Sequence, residues 1–159
     1  MKELLKLLSA KNLTISFAES MTGGALSTSL TKHEGASKAF RGAVIAYSNE
    51  VKVNVLNVLE ETIKNKSVVS KEVAIEMVKG LKNIINSDIY LAITGNAGPT
   101  LEENTFEFKC YISVLYKSKI YNYEENFKTN NRNTNINNII KIVKNIVYNL
   151  VLWYNHKGI

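Results

Sequence analysis

Apolar residues near the amino end recur at helical spacing, with Leu4, Leu5, Leu7 and Leu8 on one side of a short predicted helix. The period then shortens. Leu13 to Ala18 reads as a strand with Ile15 and Phe17 on one face. A turn, Glu19-Ser20-Met21-Thr22-Gly23-Gly24, separates it from a helix carrying Ala25, Leu26, Ser29 and Leu30 to about His33, where Gly35 can stop it. Phe40 to Tyr47 reads as a second strand. Ser48 or Asn49 caps a helix with Val51, Val55 and Leu56 on its apolar side. A short helix near Glu60 to Asn65 follows. Ser70 then caps a longer one whose inner face is Val73, Met77, Leu81 and Ile84. Ile89 to Thr94 is a buried strand, and Gly95-Asn96-Ala97-Gly98-Pro99 a strong turn.

Lys109 to Tyr116 and Lys119 to Phe127 pair as a predicted hairpin about Lys117-Ser118. The last helix presents Ile136, Ile139, Ile140, Val143, Ile146, Val147 and Leu150, a stripe wide enough to dock on a sheet. Between Asn126 and Asn138 seven residues are asparagine, which reads as a loop of biased composition. No internal repeat is visible. Mixed strands and helices predict an α/β fold, a single three-layer α/β/α domain with a mixed sheet spanning residues 1–159.

Composition narrows the functional classes. A chain of this size buries roughly 70% of its unfolded surface and needs no staples. The single cysteine, Cys110, excludes an internal disulfide and a cysteine zinc cluster, so a reducing, cytoplasmic setting is expected. The amino end is interrupted by Lys6, Lys11 and Asn12 and does not read as a signal peptide. No stretch approaches the roughly 20 apolar residues that cross a membrane. The net charge of +6 is spread among dispersed lysines. That pattern fits a basic surface attractive to a small anion better than a nucleic-acid or membrane partner.

Three loops follow the three predicted strands: Glu19 to Gly24, Tyr47 to Lys52 and Thr94 to Pro99. In open α/β sheets ligands gather beyond the carboxyl ends of strands, and parallel strands would make these loops converge. Ser20 stands at a strand-to-helix elbow, open to two readings, nucleophile or ordinary helix cap. The amides of Thr22, Gly23 and Gly24 at the helix start suit an anion or an oxyanion. A serine nucleophile needs a base. His33 at a helix end and His156 in the tail are poorly placed. Lys52 can serve if burial and the positive end of its helix disfavour the ammonium form; otherwise it is a surface lysine. Glu19 either orients Lys52 or a substrate hydroxyl, or merely favours the helix start. Tyr47 either donates to a reacting carbonyl or is a half-buried aromatic. Thr94 and Gly95 either bind phosphate or ribose, or make a plain turn.

Taken together, Ala18-Glu19-Ser20-Met21-Thr22-Gly23-Gly24 resembles the Ala-Glu-Ser-Cys-Thr-Gly-Gly motif of the CinA C-terminal family. Gly35-Ala36-Ser37, Phe40, Gly42, Tyr47-Ser48-Asn49-Glu50-Val51-Lys52, Val69-Ser70 and Thr94-Gly95-Asn96-Ala97-Gly98-Pro99 continue the pattern in order. The resemblance implies a nicotinamide mononucleotide amidohydrolase that releases ammonia through a serine–lysine pair, without metal or cofactor. It carries the nucleophile onto Ser20, the base onto Lys52 and the catalytic tyrosine onto Tyr47. It implies a small-molecule nucleotide site formed by Glu19, Thr22, Gly23, Gly24, Asn49, Glu50, Thr94, Gly95, Gly98 and Arg132, and a homo-oligomer with a dimer favoured. Larger relatives add an amino-terminal nucleotide-pyrophosphatase domain, so a stand-alone form is expected. The chain departs from the pattern at Met21 (usually cysteine), at Asn96 (usually apolar) and over Thr100 to Lys109, which lacks the family's glycine-rich stretch. Arg132 lies one residue out of register with the arginine the family places before its last helix. The alternatives are an amidase with altered substrate choice and a scaffold homologue without turnover.

Overall fold

The computed structural model describes residues 1–101 and 107–157. Positions 102–106, within the stretch that departs from the family pattern, lie outside the described residues, as do 158 and 159. Five strands form one sheet: β1 (Ile15–Glu19), β2 (Phe40–Ile45), β3 (Ile89–Gly95), β4 (Lys109–Tyr116) and β5 (Lys119–Asn126), in the order β2-β1-β3-β4-β5. β1 pairs in parallel with both β2 and β3, whereas β4 and β5 run antiparallel. The helices are α1 (Lys2–Ala10), α2 (Ala25–Thr31), α3 (Asn49–Leu56), α4 (Glu60–Lys66), α5 (Lys71–Ile84) and α6 (Arg132–His156), with a 3₁₀ turn at Ala36–Lys38.

Period-two alternation in the central strands produces two cores. Ile15 and Phe17 of β1 and Ile89, Leu91 and Ile93 of β3 face one way and meet Leu4 and Leu8 of α1, Leu26 and Leu30 of α2, and Ile139, Val143 and Val147 of α6. Ala18, Tyr90 and Ala92 face the other way and meet Leu56, Val73, Met77 and Leu81. Because β1 and β3 are covered on both faces, nearly every side chain in them is buried. The expected α/β/α layering with a mixed sheet is therefore present.

The chain leaves β1 through α2 to reach β2 on one side, then returns through α3, α4 and α5 to β3 on the other side. Two crossovers of the same hand in opposite directions must use opposite faces of the sheet. The carboxyl end of β1 is the point where they diverge, and there the sheet opens a crevice. Ser20 occupies that point.

Several sequence expectations need correction in detail. Ile84 and Val55, assigned to inner faces, are 47% and 41% exposed. α3 is short, and its buried positions are Lys52 and Leu56. The asparagine-rich tract is a loop only in part. Asn126 ends β5, and α6 begins at Arg132, with the Asn131 side chain accepting from Thr134 N at 2.9 Å. The hairpin turn falls at Lys117-Ser118 as expected, both at positive φ.

α5 crosses α3 so closely that a methyl group at Gly80 would overlap the Leu56 carbonyl. Replacing a mid-helix glycine by alanine ordinarily stabilises by about 0.5–1 kcal/mol. Overpacking against backbone costs about 1–3 kcal/mol and should win here. Gly80→Ala is expected to lower the urea midpoint with an unchanged m value; a raised midpoint would show that the two helices separate freely.

Candidate functional site

Parallel strands β2, β1 and β3 bring the three expected loops to one edge. Ser20 N still donates to Ile93 O at 3.1 Å, so the residue is fixed by the sheet before the chain turns away. Gly23 and Gly24 both adopt positive φ (57° and 98°), which lets the turn close within four residues and start α2. On β2, Ala46 N donates to Glu19 O at 2.7 Å and extends the pairing past the strand end. Ser48 caps α3, its hydroxyl accepting from Val51 N at 3.2 Å. That cap sets Lys52 on the first turn with its side chain folded back toward the sheet.

Lys52 is 1% exposed, and its Nζ donates to Ala46 O at 2.9 Å and Tyr47 O at 3.3 Å. The surface-lysine alternative is thereby removed. Ser20 and Lys52 line one cavity of about 150 Å³, together with Met21, Tyr47, Asn49, Val68, Val69, Thr94, Gly95, Asn96 and Arg132. Larger grooves exist elsewhere, up to about 670 Å³ beside Met1 and His33, but the lysines that line them are exposed or half-buried, unlike Lys52. Chemistry rather than volume singles out the small cavity.

The remaining expected residues divide. Tyr47 is 63% exposed at the rim, where its hydroxyl accepts from Arg132 Nη2 at 3.2 Å. Thr94 Oγ1 donates to Val68 O at 2.8 Å, tying β3 to the lead-in of α5. A Cβ on Gly95 would fall 2.6 Å from Met21 Sδ, so the position admits only glycine at this packing. Arg132 reaches the cavity despite the shift in register. Thr22, Gly23, Gly24, Glu50 and Gly98 are not among the cavity-lining residues.

Of the two readings open for Glu19, the structure shows the one at the helix start. It is fully buried, and its carboxylate accepts five hydrogen bonds from the start of α2: Thr22 Oγ1 at 2.7 Å, Gly24 N at 3.0 Å, Leu26 N at 3.1 Å, and Ser27 N and Oγ at 2.9 and 2.5 Å. These bonds hold its two oxygens to the turn and the helix start. The expected anion cradle at Thr22 to Gly24 changes for the same reason. Gly24 N is taken by Glu19, and Gly23 N donates to Ser20 O at 3.0 Å. Among the described residues, the backbone N–H groups of Met21 and Thr22, directly after Ser20, have no acceptor.

Two residues of the site carried no sequence assignment. Asn96 closes its loop on itself, accepting from Gly98 N and donating to Thr100 O, each at 2.8 Å. Asn135 is 1% exposed and donates to Ala97 O at 2.9 Å and Thr129 O at 2.8 Å. An asparagine four positions past the Asn131 cap was the available signal, and the biased composition hid it. Cys110 packs behind Gly95; burial, then the charges of Glu125 and Glu124, push its thiol well above the usual range, so it is no nucleophile. Neither histidine lines the cavity. Among the described residues no group of three or more histidine, cysteine or carboxylate side chains converges as a metal site would require. No helix of the described residues is long and apolar enough to cross a membrane.

Removing Glu19 strands several buried amides at once, each costing about 1–3 kcal/mol before relaxation. Glu19→Ala should therefore destabilise the fold by about 2–4 kcal/mol in denaturant titration. Stability equal to the parent protein, with changed site chemistry alone, would return Glu19 to the other reading.

Comparison with known proteins agrees with this architecture. The family model described as the CinA C-terminal domain matches residues 1–151. The chain is 44% identical over 128 residues to Protein MG115 homolog of Mycoplasma pneumoniae, covering 80% of this chain and 81% of that one. It is 45% identical over 118 residues to a putative competence-damage inducible protein of Bacillus subtilis, covering 74% of this chain but 28% of the relative. The crystal structure of competence damage-inducible protein A from Klebsiella pneumoniae superposes with a TM-score of 0.88 at 25% identity, covering 95% of this chain and 97% of that one. A CinA superfamily protein of Escherichia coli gives 0.83 at 26% identity, over 94% and 85% of the two chains. With the family model spanning the whole sheet, the first five helices and most of α6, this chain belongs to the CinA C-terminal domain family.

Proposed function

We propose that the protein is an amidohydrolase that releases ammonia from nicotinamide mononucleotide by a Ser20–Lys52 mechanism. The observation that carries this is the meeting of a serine at the sheet's switch point and a buried lysine in one small cavity. The family resemblance supplies the substrate.

In the proposed reaction an uncharged Lys52 amine takes the proton from Ser20 Oγ, and the oxygen attacks the carboxamide carbon. The tetrahedral oxyanion is held by the N–H groups of Met21 and Thr22, with Tyr47 a further donor at the rim. One such donor is typically worth about 2.7–4 kcal/mol. Collapse breaks the carbon–nitrogen bond, and the proton held by Lys52 leaves with the nitrogen as ammonia. Water then attacks the Ser20 ester, Lys52 taking and returning its proton, and the carboxylate product departs. Ala46 O and Tyr47 O fix where the lysine nitrogen sits throughout.

A cavity of about 150 Å³ is smaller than the usual 300–1,000 Å³ of ligand pockets and suits the carboxamide end of a substrate. The rest of a nucleotide has to extend outward. Val69 and Asn96 also line an adjoining groove of about 460 Å³, wide enough for it, where Lys66, Lys71 and Lys109 stand among Glu72, Glu107 and Glu124.

Purified protein incubated with nicotinamide mononucleotide is expected to liberate ammonia. Ser20→Ala and Lys52→Ala should each reduce the rate at least about 10³-fold while the circular dichroism spectrum is retained. Full activity in Ser20→Ala would eliminate the acyl-enzyme. Binding of the nucleotide without turnover by the unmutated protein would favour the scaffold alternative.

A further inference from the structure

The first turn of α6 is welded to the loops of the site. Arg132 Nη2 donates to Met21 O at 2.8 Å and to Tyr47 Oη at 3.2 Å, and its Nη1 donates to Gly98 O at 3.1 Å. One guanidinium thus bonds to the residue after Ser20, to the rim tyrosine on the Lys52 loop, and to the loop after β3. Asn135, one turn further along the same helix face, donates to Ala97 O. Gly98 lies so close to the chain entering α6 that a Cβ there would fall 2.5 Å from Asn130 O.

We infer that Arg132 is a positioning residue that clamps the three loops into one wall and so sets Met21 and Tyr47 against the Ser20–Lys52 pair, rather than a ligand for a substrate phosphate. Three of its five N–H donors are already committed to backbone and phenol oxygens that come from three separate strand ends. The planar fork suits this task, because it fixes acceptors lying in different directions with one rigid group; an ammonium is a point donor on a flexible stem. Among the described residues no carboxylate pairs with Arg132, so the three loops are what hold it. A clamp of this kind acts on the geometry of the reacting groups. Misplacement of such groups by about 1 Å can cost about 10²-fold in rate.

The kinetic arm of the test rests on the amidase proposal; the second arm does not. Arg132→Ala and Arg132→Lys are compared with the unmutated protein on nicotinamide mononucleotide and on its phosphate-free nucleoside. The clamp predicts that kcat falls about 10–100-fold on both, that the ratio of the two kcat/KM values is unchanged, and that methylguanidinium restores part of the Arg132→Ala rate. A loss confined to the phosphorylated substrate, or no loss, overturns it. Should the unmutated protein turn over neither compound, the amidase proposal fails and amide hydrogen exchange on the whole chain decides the clamp. Faster exchange in Arg132→Ala at residues 20–24, 46–49 and 96–99 together, with the unfolding midpoint nearly unchanged, supports it. Unaltered exchange in those three segments overturns it.

Discussion

The site depends on a buried carboxylate that takes no part in the proposed chemistry. Glu19 ends the central parallel strand, and its two oxygens gather five donors from the turn and first residues of α2. A helix start carries unpaired amides and a partial positive charge, and a carboxylate answers both. Because the donors converge on a residue fixed in the sheet, Ser20 is held between two rigid attachments, the strand behind it and the capped helix ahead. Without such a tether a glycine-rich turn of this kind would have many conformations and no defined hydroxyl direction.

The same residue shows the limit of what sequence can disclose. Loop order and the burial of β3 were readable, because apolar spacing marks strands and their faces; the parallel pairing that makes the loops converge was only a condition, which β1, β2 and β3 meet. The destination of each polar group was not. Glu19 next to Ser20 is equally consistent with a catalytic orienter and a cap. The choice rests on whether Gly24, Leu26 and Ser27 amides point at it, which requires the turn geometry. Free amides were expected at Thr22, Gly23 and Gly24, but the carboxylate claims that of Gly24 and the Ser20 carbonyl that of Gly23, leaving Thr22 and, before it, Met21. Lys52 was ambiguous for a parallel reason. α3 has little amphipathic character, and its pattern of Val51, Val55 and Leu56 does not reveal that the lysine is buried as deeply as Leu56 while Val55 is exposed.

The asparagine-rich tract failed differently. Composition suggested a featureless loop, yet Asn131 caps α6 and Asn135 is nearly inaccessible between Ala97 O and Thr129 O. Asparagine is a strong cap and a weak helix former, so a run of it across a helix boundary sends contradictory local signals. Tertiary contacts resolve them. Ile139, Val143 and Val147 bury against the sheet and draw the helix backward until its first turn reaches the loops.

A common pattern underlies these attachments. The carboxyl ends of parallel strands leave backbone carbonyls beyond the last ladder bond, and buried carbonyls must be paired. In this protein side chains supply the donors: Lys52 to Ala46 and Tyr47, Arg132 to Met21 and Gly98, and Asn135 to Ala97. Arg132 among them carries a fixed positive charge. Satisfying the sheet's end therefore places a guanidinium at the cavity as a by-product of folding. Pairing these carbonyls and walling the cavity fall to the same residues, Lys52 and Arg132, so a change made to alter one also disturbs the other.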